Sequence, residues 1–129
     1  MRLFVVRHAE AAPGDPDDLR PLTEAGRATA RALGERLAEQ APTAVISSPL
    51  LRARETAEAI ARAAGLSAQV DERLAPGATP FDVRDAAAGR GETVVVVGHQ
   101  PDCGKAVAVL SGVDEPAFPP CAHALVELE

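Results

Sequence analysis

Leu3-Phe4-Val5-Val6-Arg7-His8 opens the chain with four apolar residues, followed at once by a guanidinium and an imidazole. A short continuous apolar run of this composition predicts a buried strand. The charged pair then emerges at the strand's carboxyl end, where open α/β sheets keep their ligand crevices. Arg presents a fork of donors to two oxygens and neutral His can attack phosphorus, so the pair suits a phosphoryl group. A surface Arg beside a hydrogen-bonded His at a strand end gives the same two letters. The rest of the chain has to separate these readings.

Working outward, residues 13–21 form a loop rich in Pro, Gly and Asp. Thr23 is the expected N-cap of a helix to about Gln40, with Ala25, Thr29, Leu33 and Leu37 along one face, and Pro42 closes it. Residues 43–47 read as a second strand. Ser48 is the expected cap of the next helix, with Pro49 at its first position, where a missing N–H costs nothing. That helix runs to Ala64 and stops at Gly65, burying Leu50, Ala53, Ala57, Ile60, Ala61 and Ala64. A short strand at 67–70, a loop at 73–80 and a short helix at 81–88 follow.

Residues 93–97 are the clearest strand, a β-branched run of the type buried on both faces of a parallel sheet. Pro101 opens a helix to Ser111, ended by Gly112. Residues 122–128 alternate apolar with polar and predict a final strand, at an edge. This alternation of strands and helices predicts an α/β fold, a three-layer sandwich with a mostly parallel central sheet and helices on both faces.

The totals bound the function. A length of 129 residues suits one domain spanning 1–129. With three Phe and no Trp or Tyr, the core is built from Ala, Val and Leu, and base-stacking surfaces for nucleic acid are not expected. A net charge of −6 also disfavours nucleic acid and anionic membrane as partners. No stretch approaches the ~20 apolar residues of a membrane span, and the run ending at Val6 is too short for a signal-peptide core. Cys103 and Cys121 indicate no disulfide framework and read as small, semi-buried residues. The cytoplasm is the default location. No His/Cys/Asp cluster has metal-ligand spacing, so neither a metal nor a cofactor is expected. There is no repeat or heptad seam, and the pattern dictates no oligomeric state.

Three strand-to-helix junctions carry phosphate-compatible residues. Arg7-His8 leaves the first strand, Arg52 lies in the first turn of the helix after Ser48-Pro49, and Gly98-His99 leaves the strand at 93–97. In a parallel sheet these positions share the carboxyl edge, and a helix amino terminus there assists an anion.

The segments Val5-Val6-Arg7-His8-Ala9-Glu10, Arg20-Pro21-Leu22-Thr23-Glu24-Ala25-Gly26, Ser47-Ser48-Pro49-Leu50-Leu51-Arg52-Ala53-Arg54-Glu55-Thr56 and Val97-Gly98-His99-Gln100-Pro101-Asp102 together resemble the histidine phosphatase superfamily. Its short SixA-like branch is the nearest likeness, over residues 2 to about 128, and the fold implied is phosphoglycerate mutase-like. The residue after Arg-His is usually Gly; here it is Ala9. The resemblance implies that His8 is a nucleophile transiently phosphorylated, that Arg7 and Arg52 clamp the phosphoryl oxygens, and that His99 donates a further hydrogen bond. Arg20 matches a residue that the branch places near the phosphate; pairing with Asp15, Asp17 or Asp18 is its other reading. Arg54 lies about 200° from Arg52 on a helix and reads as a solvated charge. His123, Glu24 and Glu35 read as structural or surface residues.

Relatives that cleave phosphate monoesters use an acid to protonate the leaving alkoxide. In the mutase-like branch it is a Glu soon after an Arg-Leu pair; here Arg73-Leu74 is followed by Ala75-Pro76. In the acid-phosphatase branch it follows the second His, where this chain has Gln100. An imidazole leaving group needs less proton help, which selects phosphohistidine. Glu10, Glu72 and Asp102 remain as unusual donors, Asp102 reading also as a first-turn helix charge. The short segment between Val70 and Thr93 leaves little material for a lid, which suits a side chain presented by a folded protein. The expected substrate is thus a phosphorylated protein carrying phosphohistidine. The alternatives are a monoesterase acting on a small phosphate ester or on phosphoserine and phosphothreonine, and a non-catalytic phosphate-binding module.

Overall fold

Successive side chains of the inner strands enter two opposite cores. A computed structural model describes all residues, 1–129. Its strands are β1 (Arg2–Arg7), β2 (Ala44–Ser47), β3 (Gln69–Val70), β4 (Thr93–Gly98) and β5 (His123–Glu127); its helices are α1 (Glu24–Ala38), α2 (Leu51–Ala63), α3 (Pro80–Ala87) and α4 (Asp102–Ser111). The sheet order is β3-β2-β4-β1-β5. β1 and β2 flank β4 in parallel, β3 runs parallel to β2, and β5 is antiparallel to β1 at the edge.

Leu3, Val5, Val94, Val96 and Ile46 point to one face, where they meet Val83, Ala86 and Ala87 of α3 and Ala106 and Val107 of α4. Phe4, Val6, Val95, Val97 and Val45 point to the other, against Leu33 and Leu37 of α1 and Ala53, Ala57, Ile60 and Ala61 of α2. Strand alternation therefore sorts one apolar run into two layers. Fully burying each valine contributes about 1.5–3 kcal/mol. The three-layer α/β sandwich is the phosphoglycerate mutase-like fold.

Three local expectations shift. α1 is capped by Thr23, whose hydroxyl accepts from Gly26 N, but it buries Gly26, Ala30, Leu33, Gly34 and Leu37, leaving Ala25 and Thr29 exposed. The glycines explain the offset. A Cβ on Gly26 would lie 2.1 Å from Glu10 O, and one on Gly34 2.9 Å from Ala59 O, so the helix presses its smallest side onto its neighbours. Ser48 does not cap α2. Its N–H donates to Val97 O, extending the β2–β4 ladder, and Leu50 stands at the N-cap. Leu50 and Ala64 are only half-buried. The segment after β3 is also more ordered than a loop: Asp71 caps a 3-10 turn at Glu72–Leu74, and Thr79 with Asp82 forms a capping box for α3.

The ends of β1 and β5 close the amino edge of the sheet. Leu128 N donates to Met1 O at 2.8 Å, and the Met1 amine donates to Leu128 O at 2.6 Å. No helix is long and apolar enough to cross a membrane.

Candidate active site

The carboxyl ends of β1, β2 and β4 bring the predicted residues together. His8 N donates to Gly98 O at 3.0 Å, continuing the ladder one residue past β1, while Cys121 N donates to Arg7 O and His8 O from the other side. The next backbone group is held too. Ala9 N donates to Thr56 Oγ1 at 3.0 Å, and that hydroxyl donates to Arg52 O at 2.9 Å. One threonine thus ties the His8 turn to the first turns of α2.

The His8 and His99 ring centroids are 5.3 Å apart with the planes tilted by 58°. His8 Nδ1 lies 2.7 Å from Ala9 O. A carbonyl can only accept, so Nδ1 carries the proton and Nε2 keeps its lone pair. Burial pushes the His8 pKa below its ordinary 6.5, against the Ala9 hydrogen bond, and the charges of Arg52, Arg7 and Arg20 push it the same way as burial. The residue as a whole is buried, with 9% of its surface exposed. His99 is more deeply set. Its Nε2 meets Ser48 Oγ at 2.7 Å, its Nδ1 is buried without a partner, and burial together with His8 and Arg52 brings its pKa to about 4. Both imidazoles are neutral at pH 7.

Arg7 Nη1 donates to Phe118 O at 3.1 Å, and its Nε is buried without a partner. Arg52, 7% exposed, donates from Nη1 to Asp17 O at 2.9 Å and from Nη2 to Asp17 Oδ2 at 3.2 Å. Arg20 takes the pairing reading with Asp17, Nη1 to Oδ1 at 3.0 Å, and its Nε donates to Ala12 O. Its charge still reaches His8. Such a cluster of guanidinium donors beside an unprotonated imidazole nitrogen can hold a tetrahedral oxyanion and attack it.

The other residues fall outside this cluster or serve it indirectly. Asp102 is largely buried and accepts from Gly77 N and Ala78 N, pinning the loop before α3 to the start of α4. Glu10 accepts from the Thr23 hydroxyl, Glu72 is exposed, and Gln100 accepts from Gly104 N. Arg54 is half-buried with Nε unpartnered, not a fully solvated charge as its helical angle suggested. Cys103 and Cys121 are free thiols. The cavity against His99 measures only about 10 Å³, too small for a ligand. A groove of about 300 Å³ between α1 and α2 contains none of Arg7, His8, Arg52 and His99. Sequence reasoning missed the Ser48 contact with His99 and the Thr56 link, although Thr56 stands four residues after Arg52.

Residues 3–76 match the family model described as histidine phosphatase superfamily (branch 1). The chain belongs to this superfamily. It lies in the SixA-like branch: the histidine phosphatase is similar to the protein histidine phosphatase SixA solved with tungstate, at 32% identity and a TM-score of 0.88 over 100% of this chain and 89% of that one. A putative phosphohistidine phosphatase SixA from Agrobacterium tumefaciens matches at 28% identity and a TM-score of 0.80, over 96% and 89% of the two chains. An uncharacterized protein from Picosynechococcus sp. is 37% identical over 115 residues, 81% of this chain and 70% of that protein. A probable phosphoglycerate mutase GpmB from Yersinia pestis is also 37% identical, but over 57% of this chain and only 37% of its own length. The histidine phosphatase fold thus carries phosphatase chemistry here.

Proposed function

We propose that this phosphatase removes the phosphoryl group from phosphohistidine on proteins, through a phosphorylated His8. The observation that carries the reading is the Nδ1 contact of His8 with Ala9 O, which leaves Nε2 as the nucleophilic atom. Nε2 attacks phosphorus, and the P–N bond to the substrate ring breaks as the ring nitrogen takes the electron pair. When the substrate imidazole carries a proton on its other nitrogen, it departs neutral and no acid is required. The phosphorylated His8 is then a cation whose remaining proton stays on Nδ1, bonded to Ala9 O. Water attacks phosphorus, the second P–N bond breaks, neutral His8 returns, and the water protons leave with inorganic phosphate.

Arg7 and Arg52 act as the clamp on the equatorial oxygens, with Arg20 beside them and His99 as a further donor. Nothing in this scheme calls for a metal. Support for the phosphoramidate over an ester comes from the carboxyls. Asp102 is committed to two backbone N–H groups, Glu10 to a hydroxyl, and the place after His99 holds a glutamine. No acid is poised for a leaving alkoxide. A recess without an enclosing cavity also suits a side chain presented on a protein surface.

Steady-state comparison of a phosphohistidine protein with phosphoserine and sugar phosphates tests the proposal, together with acid-quench and base-quench trapping of the enzyme. A base-stable, acid-labile phosphoenzyme and a kcat/KM preference for phosphohistidine are expected. A preference for the esters would replace the substrate, and failure to trap any phosphoenzyme would remove His8 as nucleophile.

A further inference from the structure

The Asp17 carboxylate and carbonyl occupy donors on both of the outer arginines. Oδ1 takes Arg20 Nη1 at 3.0 Å, Oδ2 takes Arg52 Nη2 at 3.2 Å, and the Asp17 backbone carbonyl takes Arg52 Nη1 at 2.9 Å. One carboxylate spanning two guanidinium groups has the donor set that a tetrahedral oxyanion would use, since carboxylate and phosphate oxygens accept from Arg forks alike. The element carrying it is lightly held. Asp17 sits on a single 3-10 turn, Asp17–Leu19, in which no residue is buried, and Leu19 leaves 56% of its surface exposed. Arg52 of α2 therefore ties Asp17 to the body of the protein, whereas Arg20 ends the same turn and pairs with Asp17 within it.

We propose that Asp17 is an internal counter-anion that competes with the phosphoryl group for Arg52 and Arg20, so that binding of substrate releases the Asp17–Leu19 turn from Arg52 and its return helps expel phosphate. The inference rests on the reading above that these arginines hold the phosphoryl group. Without an anion, Asp17 keeps two like charges side by side and pre-aims them. With one bound, its negative charge opposes the ligand. Asp17 is accordingly a positioning residue and makes no bond in the reaction itself. It limits how tightly any oxyanion is held, whatever the leaving group.

The test is the affinity of inorganic phosphate, by calorimetry, in an Asp17→Asn background that keeps the side-chain shape and lies on the surface. His8→Ala is included in all proteins so that turnover does not enter the measurement, and Arg52→Ala serves as the reference. Removing the competing charge is expected to tighten phosphate binding roughly three- to tenfold at low salt, less at high salt. With His8 restored, the same change is expected to lower KM, and to lower kcat where phosphate release limits turnover. Phosphate affinity that is unchanged or weaker in Asp17→Asn, while Arg52→Ala weakens it, overturns the competition alone. Phosphate affinity indifferent to Arg52→Ala overturns the phosphoryl clamp and this inference with it.

Discussion

His8 meets two demands with one ring: Nδ1 must keep its proton and Nε2 must stay without one. Ala9 O secures the first, and burial beside Arg52, Arg7 and Arg20 secures the second. Protonating Nε2 abolishes the nucleophile, and the His8 pKa lies below 6.5 in the folded protein. The acid limb of kcat/KM is therefore expected below pH 6.5, and a midpoint at or above that value would contradict the neutral-imidazole mechanism. Arg52→Ala is expected to lower kcat/KM by about 10²–10³, raising KM as well as reducing kcat, because the fork is engaged in the ground state and more strongly in the transition state. Arg52→Lys, a point charge without the fork, is expected to recover only part of this. That His8, Arg7 and His99 share one sheet edge was legible from the ends of two strands, and Arg52 joined them from the first turn of the helix after β2; their roles came only as what the family resemblance implied. The partners of these residues were not, because Ser48 on His99 and Asp17 on Arg52 depend on how loops cross in space.

At the scale of elements, α1 shows where pattern reading stops. Thr23 marks its start correctly, yet Ala25 and Thr29 were expected on the buried face and the structure turns Gly26 and Ala30 inward instead. Hydropathy cannot distinguish alanine facing solvent from glycine facing a backbone, whereas the Glu10 carbonyl standing where a Gly26 Cβ would go can. Gly26→Ala is accordingly expected to cost about 1–3 kcal/mol in a denaturant titration. It is also expected to disturb the strand-end turn, since Thr23 N bonds the same Glu10 carbonyl. A fully stable, fully active variant would show that the two segments can part freely. Ser48 failed as a predicted cap for a related reason. A cap acts through its side-chain oxygen, and Ser48 Oγ meets His99 Nε2 at 2.7 Å and accepts from Leu50 N at 3.2 Å, ahead of the first turn of α2.

For the molecule as a whole, the sheet and its two helical layers were readable because the uninterrupted apolar runs of β1 and β4 have to bury both of their faces. The same burial makes stability depend on pH. His8 and His99 both have folded pKa values below their ordinary 6.5, His99 at about 4. The unfolded chain then binds more protons, so stability is full above about pH 6.5 and falls as pH drops toward 4. The slope is at most about 1.4 kcal/mol per pH unit for each such group. Denaturant titrations at pH 7 and pH 4.5 check this, with His99→Gln expected to narrow the gap. Equal stability at the two pH values would mean that neither imidazole is held neutral by the fold. The pairing of Met1 with Leu128 has a practical corollary. Both chain ends leave from the rim opposite the histidines, so a tether fused at either end would anchor the protein to a bead or sensor surface with its catalytic mouth directed outward, free to meet large partners in solution.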